Sequence, residues 1–297
     1  MKPMPPITRG HAGLLLSASI MTCLLVIMGG VVCATESAAG CPDWPGCYGR
    51  IVPPPQINAI IEYAHRLIAA LTSPLIIAAA VVSWRRTRAI RWVTRPLLLS
   101  LLFLVAVIIF GAFAVLTGLP RGVAALDLSS ALVVLGLVVT ATVVAFARRA
   151  DPDLPDRLGD DAYGRLSLAA LGALLAMYAG GVLVAGKGSF TRCLGWPIGP
   201  MIATDLAGWP QTARFALAAL TGILIVAVVA QGLGAPRSHT VLRRLAGVVG
   251  VAFLVEMAAG ALIRTGGAGA LALVVYVAAA AVLWASLVAL AVQARIG

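Results

Sequence analysis

The sequence predicts an all-α membrane protein: eight transmembrane helices arranged as two tandem four-helix bundles, with the N and C termini both cytoplasmic. Three observations predict it: an apolar composition, eight apolar runs of spanning length, and a repeat that relates the two halves. The 297 residues are 61% hydrophobic and only 11% charged, with a mean hydropathy of +1.01, which excludes an ordinary water-soluble domain. Crossing a hydrocarbon core takes about 20 apolar residues in a helix. Runs of that kind fall at 14–34, 60–83, 97–118, 124–147, 166–186, 212–232, 245–264 and 269–292. The first is too long for the apolar stretch of a cleaved signal and lacks a small-residue cleavage site, so it is expected to be a retained span.

The connections between these runs set the orientation. Lys2 and Arg9, the Arg85–Arg95 group, Arg148, Arg149, Arg157 and Arg165, then Arg237, Arg243 and Arg244, and finally Arg295 all fall in alternate connections. The opposite connections carry Arg50, Arg121, Lys187, Arg192 and Arg264. This asymmetry puts the basic side in the cytoplasm and the long connections 35–59 and 187–211 outside. The net charge of +11 is thereby assigned to anionic lipid headgroups at a cell membrane. Nucleic acid is excluded as a partner, because no folded basic domain exists to bind it.

The repeat appears when "MGGVVCATESAAGCPDWPGCYG" (28–49) is set beside "AGGVLVAGKGSFTRCLGWPIG" (179–199). Each has a glycine pair closing a helix, a polar loop and then Cys-x-x-Trp-Pro. The match continues from "EYAHRLIAALTS" (62–73) to "QTARFALAALTG" (211–222), and pairs "VLTGLP" (115–120) with "LIRTGG" (262–267). The predicted units are an N-terminal half over 1–147, a polar cytoplasmic linker over 148–165, and a C-terminal half over 166–297 with a degenerate site. Because both halves begin on the same side, the repeat is parallel, related by an axis along the membrane normal. In the second copy Gln211 stands for Glu62, Arg214 for His65 and Gly199 for Cys47. Chemistry is therefore expected in the first half.

There, Glu62 and His65 lie three apart on one helical face, with Arg66 a turn beyond Glu62. Ionisable groups inside a span are costly, and function is their default reading. The plainer alternative is an i,i+4 ion pair Glu62–Arg66 beside a hydrogen-bonded interior imidazole. Asp127 is either a second site group or the N-terminal cap of its helix. Glu256, mid-way along the seventh run, needs Arg264, water or a proton to be tolerated. Met21, Met28, Met177, Met201 and Met257 read as packing, and His11 and His239 as solvated.

Among the cysteines, Cys23 and Cys33 read as small buried hydrophobes and Cys193 has no obvious partner. Cys41 and Cys47 are spaced for a disulfide, with Pro42 and Pro45 stiffening the turn between them, or are a pair of free thiols. A thiol oxidoreductase would want a tighter, C-x-x-C-like pair. Signatures for covalent heme, zinc hydrolysis and nucleotide binding are missing.

The loop "CPDWPGCYG", the "EYAHR" that opens the second helix, the "TGLP" turn and the eight-helix duplication together resemble the heme A synthase family of cytochrome oxidase assembly. The resemblance implies an oxidoreductase that converts heme O to heme A by oxidising a ring methyl group. Its cofactors are heme, with heme O as substrate and heme B as a second group. Its partners are the heme substrate, membrane lipid, heme O synthase and cytochrome oxidase assembly proteins; a non-catalytic heme-binding or assembly member is the alternative. By position it makes Glu62 the catalytic acid beside the substrate, His65 the heme-iron ligand, and Cys41–Cys47 a disulfide.

The family's remaining histidine positions fall on Asp127, on Arg214 and in a helix without histidine. Heme contact is thus expected from His65, Arg66, Asp127 and Arg214, with Arg214 meeting propionates or lipid phosphate. One heme site is expected, in the first half. The Cys41–Cys47 loop is expected to lie as a lid over it, with Trp44 at the membrane surface and Asp43 and Arg50 as anchors.

Overall fold

Polar backbone cannot be left unpaired in lipid, so a chain this apolar must cross the membrane as helices that satisfy their own hydrogen bonds. The computed structural model, which describes residues 6–118, 120–184, 193–197, 208–265 and 269–296, contains eight such helices. They are α1 (Arg9–Ala34), α2 (Ile57–Thr87), α3 (Arg91–Leu116), α4 (Arg121–Ala150), α5 (Ala162–Val184), α6 (Trp209–Leu233), α7 (Thr240–Arg264) and α8 (Ala270–Ile296). All eight are long and apolar enough to span, and the protein is a multi-pass membrane protein. Each overlaps nearly all of one predicted run and extends past it at one end or both. Charged residues continue the helices into the headgroup zone, where Arg85 and Arg86 end α2 and Arg148 and Arg149 end α4.

Neighbour relations define two rings. In the first, α1 packs on α2 and α4, and α3 packs on α2 and α4; in the second, α5 packs on α6 and α8, and α7 on α6 and α8. The rings meet where α4 lies against α8, with α1 against α8 and α4 against α5. At that seam the Trp284 indole donates to the Leu132 carbonyl at 2.8 Å. Within the first ring, Ser19 and Thr142 hydroxyls pair at 2.8 Å, and Thr142 also donates to the Leu15 carbonyl.

Three expectations need correction. The connection between halves is shorter than 148–165, because α4 runs to Ala150 and α5 begins at Ala162. It is also tied down: Asp156 accepts from the Arg91 amide at 2.8 Å at the start of α3, where an anion suits the helix dipole. The Gly159 amide donates to the Arg295 carbonyl at the end of α8, and the Arg295 side-chain Nε donates back to the Gly159 carbonyl at 2.8 Å. His11 is not solvated: it is 3% exposed and its Nε2 pairs with Ser83 Oγ at 2.8 Å. His239, in contrast, is exposed at the start of α7.

The third correction concerns cysteines. Cys33, read as a buried hydrophobe, is bonded to Cys193, with Cα atoms 5.6 Å apart. The bridge joins the end of α1 to the segment after α5, and so covalently links the two rings. Cys41–Cys47 is a second disulfide, 4.7 Å between Cα atoms, and Cys23 is free. A protease site placed at the exposed Arg157 tests the inter-ring bond. The cleaved protein should run as one species on a non-reducing gel and as two after dithiothreitol; separation without reductant would contradict the bond.

Candidate functional site

The segment 35–56 folds onto the first two turns of α2. Gly40 lies so close to that helix that a Cβ there would stand 2.5 Å from the Asn58 carbonyl oxygen, which only glycine permits. The seat is electrostatic. Arg66 forms an ion pair with Glu62 and donates to the carbonyls of Cys41 at 3.1 Å, Asp43 at 2.6 Å and Gly46. Glu62 in turn accepts from the Cys41 amide at 2.7 Å.

The loop's own turn is held by Asp43, whose carboxylate accepts from the Tyr48 and Gly49 amides at 2.6 Å each. Those hydrogen bonds, from Gly49 foremost, and the nearby Arg66 hold Asp43 below its ordinary pKa. Arg50 contributes its backbone, paired with Cys47. Trp44 and Tyr48 are about half exposed on the outer surface of the loop, in the manner of interfacial aromatics. Both loop cysteines are fully buried, which suits a staple and not an exchanging thiol pair.

Glu62 and Arg66 therefore face the loop. His65, one residue away on the helix, faces elsewhere. A cavity of about 240 Å³ opens inside the first ring. His65, Asp127 and Arg121 line it; Glu62 and Arg66 do not. The imidazole lies against Gly29 of α1, where a Cβ would come within 3.3 Å of its Cε1. The glycine pair of the repeat thus makes room for the ring.

Asp127 is not a helix cap, since α4 begins six residues earlier at Arg121 after Pro120. Its carboxylate enters the cavity beside Gly111 of α3. His65 Nδ1 and Asp127 Oδ1 are both buried without a hydrogen-bond partner. Such orphans are costly in an apolar interior and mark places where a ligand or water completes the bonding. They come from α2 and α4, which face each other across the ring, since each packs on α1 and α3.

The second ring is built differently at the equivalent place. Arg214 is 4% exposed and donates to the Gly195 carbonyl at 3.3 Å. Trp196, the counterpart of the exposed Trp44, is only 5% exposed and packs edge-on against Phe253 with centroids 5.3 Å apart. Its amide donates to Tyr276 Oη at 2.6 Å. Glu256 accepts from Tyr178 Oη at 3.2 Å, so Arg264 is not its partner, and both Glu256 and Tyr178 are fully buried. Aromatic side chains and an arginine occupy the interior that the first ring leaves open. Most of the second outer loop, including Met201 and Gly199, lies outside the described residues.

Residues 12–288 match the COX15-CtaA family, whose description is cytochrome oxidase assembly protein. The chain belongs to that family. It is 35% identical over 130 residues to a heme A synthase of Halalkalibacterium halodurans, covering 43% of this chain and 44% of that protein. It is 32% identical over 178 residues to a heme A synthase of an Exiguobacterium species, covering 59% and 58% respectively. A heme A synthase of Shouchella clausii is 28% identical over 216 residues, 70% of this chain and 71% of that protein. The first two alignments therefore span about half of those relatives.

Two outcomes follow for the loop. Replacing Arg66 with Ala leaves the Glu62 carboxylate buried without its partner, which should cost on the order of 3 kcal/mol in thermal unfolding of the detergent-solubilised protein. Glu62→Gln, which keeps an acceptor for the Cys41 amide, should cost less. Because the folded pKa of Asp43 is depressed, its stabilisation of the loop is complete above the ordinary value of 3.8. It is lost as pH falls below that value through the folded pKa. Hydrogen exchange at the Tyr48 and Gly49 amides should accelerate in that acid window and not near neutrality.

Proposed function

We propose that the protein acts in heme A biosynthesis for cytochrome oxidase, oxidising a methyl group of heme O toward the aldehyde of heme A. The observation that carries this reading is the first-ring cavity, in which an imidazole and a carboxylate with unmet hydrogen-bonding capacity stand with Arg121 at one part of a largely apolar space. Family membership and the names of the relatives support it. The residues present fit a porphyrin: the walls are apolar, Gly29 clears the imidazole, and His65 keeps a nitrogen free for iron.

When bound, the heme would be the group oxidised, at a methyl of its own ring, with the electrons removed passing to an external acceptor. The protein's part is positional. His65 ligates the iron, and Asp127 presents a carboxyl on the facing helix that holds a proton or a water near the bound group. Arg121 places positive charge at the loop end of the cavity. Glu62 and Arg66, expected beside the substrate, instead fix the Cys41–Cys47 loop over the start of α2 and so hold the turn of helix that carries His65. Catalysis is assigned to the cavity groups, with Glu62 and Arg66 as positioning residues.

The chain reads as two tandem four-helix bundles with cytoplasmic termini, the first active and the second degenerate. The described residues of the second bundle do not fit a second heme: Arg214 stands at the ligand position, and Trp196, Phe253 and Tyr276 take up space. Arg214 serves the loop backbone there. That filled interior is also what favours the alternative reading, a heme-binding assembly factor without turnover, because it removes the place for a second redox group.

The deciding experiment is the absorption spectrum and heme content of purified protein, wild type against His65→Ala, with co-expression alongside a heme O source. Wild type should carry about one heme per chain and yield heme A by mass spectrometry, and His65→Ala should lose at least tenfold in heme content. Stoichiometric heme with unaltered heme O would select the assembly reading. A colourless wild-type protein supplied with excess heme would overturn both.

A further inference from the structure

The repeat and the two disulfides do not match, and the mismatch marks a site of its own. In the first copy Cys41 pairs with Cys47, a separation of 6 residues. Its counterpart in the second copy is Cys193, and the place of Cys47 is taken by Gly199. Cys193, without that local partner, is bonded instead to Cys33 in the last turn of α1, at a separation of 160 residues. The two bonds differ in what they face. Cys41 and Cys47 are both fully buried under their loop. Cys33 is partly exposed, and Cys33 and Cys193 both line the first-ring cavity. Reduction requires a thiolate to approach one sulfur of the bond, so access decides which disulfide exchanges.

The chain beside this bond is held in an unfavourable conformation. Leu194 has φ +65°, in the left-handed region that a bulky side chain rarely adopts. Such a conformation persists only where its surroundings over-determine it. Here the disulfide fixes the residue before it, Arg214 donates to the Gly195 carbonyl after it, and the Trp196 amide donates to Tyr276 Oη. Held in this way, the Leu194 side chain is buried, lines the cavity and packs toward Gly30 of α1, where an added Cβ would stand 3.4 Å from its Cδ1. Gly30 follows Gly29, against which the His65 imidazole lies. One covalent bond thus restrains the wall next to His65.

We propose that Cys33–Cys193 is a thiol–disulfide exchange site that latches the cavity wall, and that a dithiol is the class of reagent that opens it. The first thiolate of the dithiol attacks Cys33 Sγ, the S–S bond breaks, and Cys193 leaves and takes up a proton. The second thiol then closes on the first sulfur, releasing Cys33 as a thiol and the reagent as its own disulfide. Two electrons and two protons pass from the dithiol to the protein. Once the restraint is gone, Leu194 relaxes out of the left-handed region and its side chain leaves Gly30, which opens the cavity beside His65 on the side of the second ring. The Cys41–Cys47 staple stays closed, so the loop keeps its seat on α2.

The test uses the purified full-length protein in detergent with heme extracted, so its result is independent of the heme reading. Dithiothreitol is added under native conditions, free thiols are alkylated, and the cysteine peptides are assigned by mass spectrometry. Cys33–Cys193 should be reduced about tenfold faster than Cys41–Cys47. Diethyl pyrocarbonate, which acylates neutral imidazole, then reports the opening. His65 should be modified about fivefold faster after reduction, while the exposed His239 keeps its rate and His11, buried against Ser83, stays slow. Cys33→Ser should show the fast His65 rate without reductant; Cys193→Ser takes its place should that variant not be recovered folded, and reduced wild type decides without either. Equal reduction of the two bonds, or earlier reduction of Cys41–Cys47, would overturn the exchange site. Selective reduction that leaves the His65 rate unchanged, or that accelerates His11 equally, would overturn the latch.

Discussion

In an apolar solvent a buried polar group must find its partner inside the protein, and this constraint sorts the structure into scaffold and site. Where partners are found, the groups hold helices together: His11 with Ser83 between α1 and α2, Ser19 with Thr142 between α1 and α4, and Trp284 with Leu132 across the seam between rings. The largest such assembly is Arg66, which satisfies Glu62 and three loop carbonyls at once. Among the described residues a few buried side-chain atoms lack a partner, Gln211 Oε1 in the second ring being one, but two of them, His65 Nδ1 and Asp127 Oδ1, line one cavity. The violation is tolerable only if something else completes the bonding, which is why function is read there.

The two copies of the repeat show how the same motif can be spent in opposite ways. In the first, the Glu62–Arg66 pair draws the loop outward onto the start of α2, and Trp44 stays at the surface. In the second, Gln211 and Phe215 occupy those positions and cannot form the ion pair. The backbone is gathered instead by Arg214 and Tyr276 from within the bundle. Drawn inward, Trp196 enters the interior against Phe253. Absence of the buried ion pair and filling of the interior are thus two faces of one difference.

Much of this was legible in the sequence, because helix length in a membrane is set by bilayer thickness and the spans follow from counting apolar residues. The duplicated Cys-x-x-Trp-Pro loops and the Cys41–Cys47 staple were also readable. What escaped depends on long-range pairing, for which a local pattern gives no signal. Cys33 meets Cys193 across 160 residues, and Glu256 meets Tyr178 across 78. The direction of Glu62 had a faint signal. It lies one turn nearer the start of α2 than His65, so it stands level with the loop while the imidazole stands level with the bundle interior. Arg66 at i+4 then reinforces the outward choice. Position on a shared helical face was a weaker guide than depth along the helix.

A filled second bundle raises the question of why it is kept, and the cavity wall supplies a physical answer. Val182 of α5, together with Cys193 and Leu194 beyond it, lines the first-ring cavity alongside α1 to α4. Gly30, adjacent to the glycine that clears His65, packs toward Val277 of α8 and Leu194, with a hypothetical Cβ only 3.0 Å from Val277. The second bundle therefore closes one side of the first bundle's cavity, and the Cys33–Cys193 bond fastens that closure where α1 ends. Filling the second interior with Trp196, Phe253 and Tyr276 makes the closing wall rigid, since a close-packed core transmits strain instead of absorbing it. The first ring encloses the cavity, and the second supplies a firm surface against which that space keeps its shape.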